Sequence, residues 1–210
     1  MIIGLVGFIG SGKDTAAEHL IEKYNFQRDS FAAPLKDAVA AVFGWDREML
    51  EGRTAASRQW REEVDVWWAQ RLGIPQLTPR WILQQWGTEV GRRGFHEDIW
   101  VASLENRLRK TTNNIVITDC RFPNEIDVIK NAGGIIVRIG RGKDPDWIED
   151  AMQYLESPIG DPPSHLPHQS EWAWLGRRYN VYVSNNGPIN WLHERLDLMM
   201  AGLALTNAAE

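Results

Sequence analysis

A glycine-rich string, Gly7-Phe8-Ile9-Gly10-Ser11-Gly12-Lys13-Asp14-Thr15, stands where an apolar run ends and a helix-forming segment begins. Glycines permit a tight loop whose backbone N–H groups converge on an anion, and the positive end of the following helix adds to the attraction. A lysine at this place reaches β- and γ-phosphates as a mobile point charge. Gly7, Gly10, Ser11, Gly12 and Lys13 are therefore expected to hold the phosphates of a triphosphate donor. The hydroxyl that usually follows the lysine, and holds Mg²⁺ directly, is replaced by Asp14, with Thr15 one place later. Asp14 could hold the metal through water, or stabilise the helix start as an acidic first-turn residue.

The order Gly-Lys-Asp-Thr leans toward small-molecule kinases and away from GTPases, and no guanine-reading Asn-Lys-x-Asp string occurs. Phosphoryl transfer needs two phosphate groups held in line, water excluded, and charge neutralised by Mg²⁺ and basic side chains. Asp119 closes the run Ile115-Val116-Ile117-Thr118 and has the form of the second acidic motif of phosphate-loop proteins, which positions Mg²⁺ or its water shell. A capping or turn aspartate is the alternative. Arg121 is well placed for a phosphate, or for a surface salt bridge with Glu125. Arg80, Arg92, Arg93 and Arg141 are further candidate clamps. His165 and His168 have metal-like spacing but no third ligand nearby, and Cys120 lacks a neighbouring base, so zinc and thiol chemistry are not expected.

Such residues need a scaffold. The 210 residues suffice for one α/β domain with a sizeable core, expected to carry a mobile lid at 142–178. Net charge is −5, so general attraction to a nucleic acid polymer is not expected. The lone cysteine fits a reducing cytoplasm, and the first apolar run is too short for a signal or membrane segment.

Strands are expected at Ile2–Val6, Phe26–Phe31, Ile115–Thr118, Ile135–Ile139 and Val181–Val183. They alternate with helices from Thr15, Leu35, Ser57, Pro79, Glu97, Pro123 and Pro188. This calls for a roughly five-stranded parallel sheet flanked by helices, its ligand beyond the carboxyl ends of the strands. Gly7, Asp119 and Arg141 all stand at such ends. The helix Ser57–Leu72 should bury Trp60, Val64, Trp67, Trp68 and Leu72 on one face, and the last helix Ile189, Leu192, Leu196 and Met199, with a frayed tail after Gly202. Eleven tryptophans cluster mid-chain, to fill a helical core or cover a cleft. The proline-rich stretch Gly142–Arg178 is the expected lid.

Taken in order, Gly10 to Thr15, Ala33-Pro34-Leu35-Lys36-Asp37-Ala38, Arg80 with Gln84-Gln85-Trp86-Gly87-Thr88-Glu89, and Trp100-Val101 form one set. Asp119-Cys120-Arg121 with Glu125, Arg141, His168 to Glu171, and Ser184-Asn185-Asn186-Gly187 complete it. The chain resembles the deoxynucleoside monophosphate kinases of large bacteriophages, a branch of the P-loop nucleoside monophosphate kinase fold. Gly44 to Thr78 matches poorly. The resemblance implies ATP-dependent, Mg²⁺-assisted phosphorylation of a deoxynucleoside monophosphate in host cytoplasm. It implies one domain, 1–210, whose helical insertion 44–112 binds the acceptor, with Lys36, Arg80, Gln84, Gln85, Thr88, Trp100 and Arg121 near it. Lys13, Asp119 and Arg121 would be catalytic, Arg141 would bind ATP, and Asp14, Thr15 and Asp119 would serve Mg²⁺ directly or through water. Related phage kinases are often dimers, and the tryptophan-rich helix could be a partner surface or core. A kinase of dephospho-coenzyme A or phosphomevalonate type, and a non-kinase nucleotide switch, stay as alternatives.

Overall fold

Short, β-branched apolar runs separated by helical periods can satisfy their backbones only in a sheet covered on both faces. The computed structural model, which describes residues 1–207, contains such a sheet. In chain order, β1 (Ile2–Val6) leads through the glycine loop into α1 (Lys13–Tyr24) and β2 (Gln27–Asp29). A helical stretch follows: α2 (Ala33–Phe43), α3 (Arg47–Glu51), α4 (Ala55–Trp60), α5 (Val66–Leu72), α6 (Pro79–Gln84), a π-helix (Gln85–Arg93) and α7 (Ile99–Leu108). Then come β3 (Ile115–Ile117), α8 (Pro123–Asn131), β4 (Ile135–Gly140), α9 (Ile148–Glu156), two 3₁₀ turns (Gln169–Glu171 and Ala173–Gly176), β5 (Val181–Ser184) and α10 (Ile189–Asn207).

The chain divides into two compact units. The first, Met1–Ser30 with Arg107–Glu210, holds the sheet in the order β2-β3-β1-β4-β5, every pair parallel. Ile3 and Leu5 of β1 point to one face, where they meet Ala16, Ala17 and Leu20 of α1 and Leu192, Leu196 and Met199 of α10. Gly4 points to the other, against Ile129 of α8 and Ile136. The strand is thus buried on both sides, as its unbroken apolar run requires. Each fully buried leucine of this layer is worth about 2–3 kcal/mol of transfer free energy.

The second unit, Phe31–Asn106, is helical. Leu35, Val39, Phe43, Leu50, Leu77 and Ile82 form its centre, with Trp45, Trp60, Trp68, Trp81, Trp86 and Trp100 packed around them. Rings meet edge-on or stacked, Phe43 on Trp45 at 4.6 Å and against Trp68 at 4.9 Å. The helical segment expected at 44–112 lies largely in this unit, which begins earlier and takes in α2.

Several expectations are corrected. Ser57–Leu72 is not one helix. Thr54 caps α4 and Asp65 caps α5, the Asp65 carboxylate accepting from the Trp68 N–H at 3.1 Å and from the Trp45 indole at 2.8 Å. The local cap outweighs the apolar period, so Val64, Trp67 and Leu72 are exposed while Trp60 and Trp68 pack inward. The helix from Pro79 changes to π winding at Gln85. The 142–178 segment, expected as a proline-rich lid, contains α9 with an acidic first turn (Glu149, Asp150), and it buries Ala151, Trp172 and Trp174. Ile189 is exposed in the first turn of α10, and that helix continues past Gly202 to Asn207. No described helix is long and apolar enough to cross a membrane.

Candidate active site

The loop after β1 takes backbone conformations that glycine supplies: φ is positive at Gly7, Gly10 and Gly12. The Ser11 N–H donates to the Phe8 carbonyl at 3.2 Å and tightens the turn. Gly12 precedes α1 in the left-handed region at φ 99°, and a Cβ there would collide with the Asn185 amide. That amide donates to the Ser11 carbonyl at 2.8 Å, while the Asn185 N–H donates to the Gly140 carbonyl at 2.7 Å. The residue after β5 therefore fixes the loop after β1.

Lys13 curls over this loop, its Nζ donating to the carbonyls of Gly7 (2.7 Å) and Phe8 (3.0 Å). Burial, and then the Arg121 guanidinium, push its pKa below the ordinary lysine value against the pull of Asp14 and Glu171. Lys13 shares a cleft with Asp119, Arg121, Ser170, Glu171 and Trp174. Arg121 does not reach Glu125 with its side chain. Its guanidinium donates to Glu171 (3.2 Å) and Ser170 (3.3 Å), and its backbone N–H donates to Glu125 at 2.8 Å. Buried Glu125 also accepts from the Phe122 N–H at 3.2 Å and so holds the turn between β3 and α8. Cys120 is buried, and desolvation pushes its thiol well above the ordinary range. It is a packing residue, as expected.

Phe8 meets Trp147 edge-on at 5.4 Å and Trp174 at 5.2 Å, and Arg138 of β4 lies over both Phe8 and Trp174. These contacts tie the 142–178 segment to the phosphate loop. His165 pairs with Asp150, and His168 caps the first 3₁₀ turn by accepting from the Ser170 N–H. No group of three or more His, Cys, Asp or Glu able to hold a metal occurs among the described residues.

The structure thus brings Gly7, Lys13, Asp119 and Arg121 together. Asp14 faces outward and is held by Arg28 at 2.7 Å, while Thr15 sits half-buried in the first turn of α1. Arg141 is exposed just beyond β4. In the helical unit, Lys36 is paired with Glu51 at 2.7 Å, and Arg80 with Glu62. Gln84 and Thr88 are exposed, and Gln85 is half-buried. The Trp100 indole donates to the Gly87 carbonyl at 2.8 Å and packs on Gly91, bracing the π-helix. Arg93 pairs with Glu89 one turn back on the surface. Sequence reasoning missed the structural role of Asn185 and the Arg121–Glu171 pair, although all three residues lie in quoted motifs.

Comparison with known proteins bears on this arrangement. Over 155 residues the chain is 36% identical to a protein of Acanthamoeba polyphaga mimivirus named as a deoxynucleotide monophosphate kinase, covering 67% of this chain and 74% of that one. Over 181 residues it is 30% identical to the deoxynucleoside-5′-monophosphate kinase of Escherichia phage T5, covering 62% and 72%. The chain belongs to the deoxynucleoside monophosphate kinase family. No family model matches the chain. The shikimate kinase of Aquifex aeolicus aligns over 98% of this chain and 99% of its own at 15% identity, with a TM-score of 0.48.

Proposed function

We propose that the chain transfers the γ-phosphoryl group of ATP to the 5′-phosphate of a deoxynucleoside monophosphate. The observation that carries this reading is the convergence of Lys13, Asp119 and Arg121 on one cleft, in a chain of this family. Lys13 lies within reach of phosphates entering the loop, and the loop's N–H groups and the start of α1 supply the rest of the anion cradle. Arg121 neutralises the migrating group once phosphate displaces Glu171.

Mg²⁺ is the expected metal, and the residues present fit it. Asp119 lines the cleft and Thr15 offers a hydroxyl in the first turn of α1, while Asp14 is engaged by Arg28. A site with so few protein ligands suits an ion that arrives with nucleotide phosphates and keeps its waters. When bound, Mg²⁺ would neutralise charge on the donor. Arg141 would contact the donor from the end of β4. Lys36, Arg80, Gln84, Gln85, Thr88 and Trp100 are the acceptor-side candidates, with base choice made by amides, because an unpaired buried polar group discriminates strongly. The test is to supply ATP and Mg²⁺ with each of the four common deoxynucleoside monophosphates, their ribose forms and modified bases, and follow ADP. ADP release that depends on a deoxynucleotide supports the reading; release indifferent to all of them removes it.

A further inference from the structure

Arg138 is a cation in a place suited to an apolar residue. β4 is an inner strand of the parallel sheet, and its run Ile135-Ile136-Val137-Arg138-Ile139 is otherwise aliphatic. The Arg138 side chain is only 12% exposed, and its Nε is buried with no hydrogen-bond partner among the described residues. Nη2 donates to Asp144 at 2.6 Å. The guanidinium carbon lies over four rings: Phe8 at 5.7 Å, Trp174 at 5.4 Å, Tyr179 at 5.8 Å and Tyr182 at 5.7 Å. Withdrawing a cation from water is costly, and a single carboxylate that is itself partly exposed offsets only part of the cost. The π faces add to that offset.

These partners come from parts of the chain that the sheet alone would leave separate. Phe8 is in the phosphate loop, Asp144 and Trp174 are in the 142–178 segment, and Tyr182 lies on β5 beside Arg138 in the ladder. From two of the rings, further bonds lead to the cations of the cleft. The Phe8 carbonyl accepts from Lys13 at 3.0 Å. The Trp174 indole donates to the Glu171 carbonyl at 2.9 Å, and the Glu171 carboxylate accepts from Arg121 at 3.2 Å. Phe8 and Trp174 also meet each other at 5.2 Å, so the guanidinium closes a three-membered contact. An aliphatic side chain could fill the same volume, but a planar cation also fixes how rings sit around it.

We propose that Arg138 is a positioning residue for the donor nucleotide: it seats the phosphate loop and the 142–178 segment on one guanidinium and so holds Lys13 and Arg121 in a common arrangement. It acts through Phe8 and Trp174. That the loop receives ATP rests on the function proposed above; that Arg138 and Phe8 act as one unit does not.

The experiment measures ATP affinity by calorimetry on the full chain carrying Arg138→Met, which keeps the length and removes the charge, Phe8→Leu, which removes the ring, and both together. Arg138→Met should weaken ATP binding roughly tenfold, the size of a desolvated cation–ring contact. The double variant should lose little beyond that, because the two residues act through one contact. Arg138→Lys, which keeps the charge but not the planar fork, should fall between Arg138→Met and the parent. KM for ATP should follow these affinities while kcat and KM for the deoxynucleotide stay near the parent's; a merely loosened fold would move all three. In the wild-type protein, where no variant has to fold, the side-chain ¹⁵N signal of the Arg138 Nε–H should move as ATP is added and Phe8 shifts with the loop. Losses that add in the double variant, ATP affinity unchanged by Arg138→Met, or an Arg138 signal that stays still overturns the proposal. A parent that binds ATP but phosphorylates no deoxynucleotide removes the function proposed above and leaves the role of Arg138 standing.

Discussion

Lys13 donates to two carbonyls of its own loop, so a triphosphate must draw it away from Gly7 and Phe8 before it can act. Those bonds keep the ammonium near the loop while its pKa is lowered by burial and by Arg121. Lys13→Ala should lower kcat by roughly 10²–10³-fold, the usual loss when one pre-organised charge partner of a transition state is removed. Its urea midpoint should stay near that of the parent, since among the described residues the Lys13 ammonium leaves two loop carbonyls. A variant that turns over normally would remove the phosphate-loop assignment. The neighbouring thiol should behave in the opposite way. Cys120 packs beneath the cleft against Gly4, with a depleted thiolate. Cys120→Ala is expected to keep turnover within about twofold, and the native thiol to resist alkylation until the protein is unfolded.

At the scale of elements, the contact that matters is between the turn after β5 and the loop after β1. Asn185→Ala would leave the Ser11 carbonyl without this donor, at a cost of about 1–3 kcal/mol if water does not replace it. KM for ATP should rise more than kcat falls, because the cradle is loosened while its cation is intact. Equal loss in both would mean that Asn185 serves the reaction step itself. Much of this scaffold was legible beforehand. Apolar runs gave the five strands, and Pro79 and Pro123 gave the starts of α6 and α8, since each of these signals is local. What escaped depends on partners distant in sequence. Asp65 stops one helix and starts another because it also receives the Trp45 indole. Glu171 takes Arg121 away from Glu125 because a 3₁₀ turn 50 residues on carries it there. The π winding after Gln85, braced by Trp100, left no mark in the apolar period.

At the scale of the molecule, sensitivity to acid has an identifiable source in the helical unit. The helical unit contains a carboxylate held down by cations. Burial opposes ionisation of Glu51, but Lys36 and then Arg47 outweigh it and lower the pKa from 4.5 to about 2. A depressed carboxylate contributes stability that is present above its unfolded value and lost as pH falls through the folded one. The window therefore runs from about 4.5 down to about 2, and the contribution is roughly 2–3 kcal/mol for a largely buried pair. Glu51→Gln should lower stability at pH 7 and flatten its fall between pH 5 and pH 2. Tryptophan fluorescence is a suitable reporter, because six indoles pack around that core. A parallel decline in both proteins would mean that other carboxylates govern the acid limb.

The bond from Asn185 to Ser11 also has a consequence for how the molecule comes into being. Synthesis delivers the glycine loop before its support, since the side chain that braces it arrives 174 positions later. β1, at the centre of the sheet, must likewise wait for β3 and β4, whose residues lie more than a hundred positions downstream. Such distant closures are the slow part of assembly. A nascent chain that has not yet reached residue 185 should retain little affinity for ATP, even with every glycine of the loop in place. The loop's glycines are made early relative to their brace, and the cradle is finished only when Asn185 has been made.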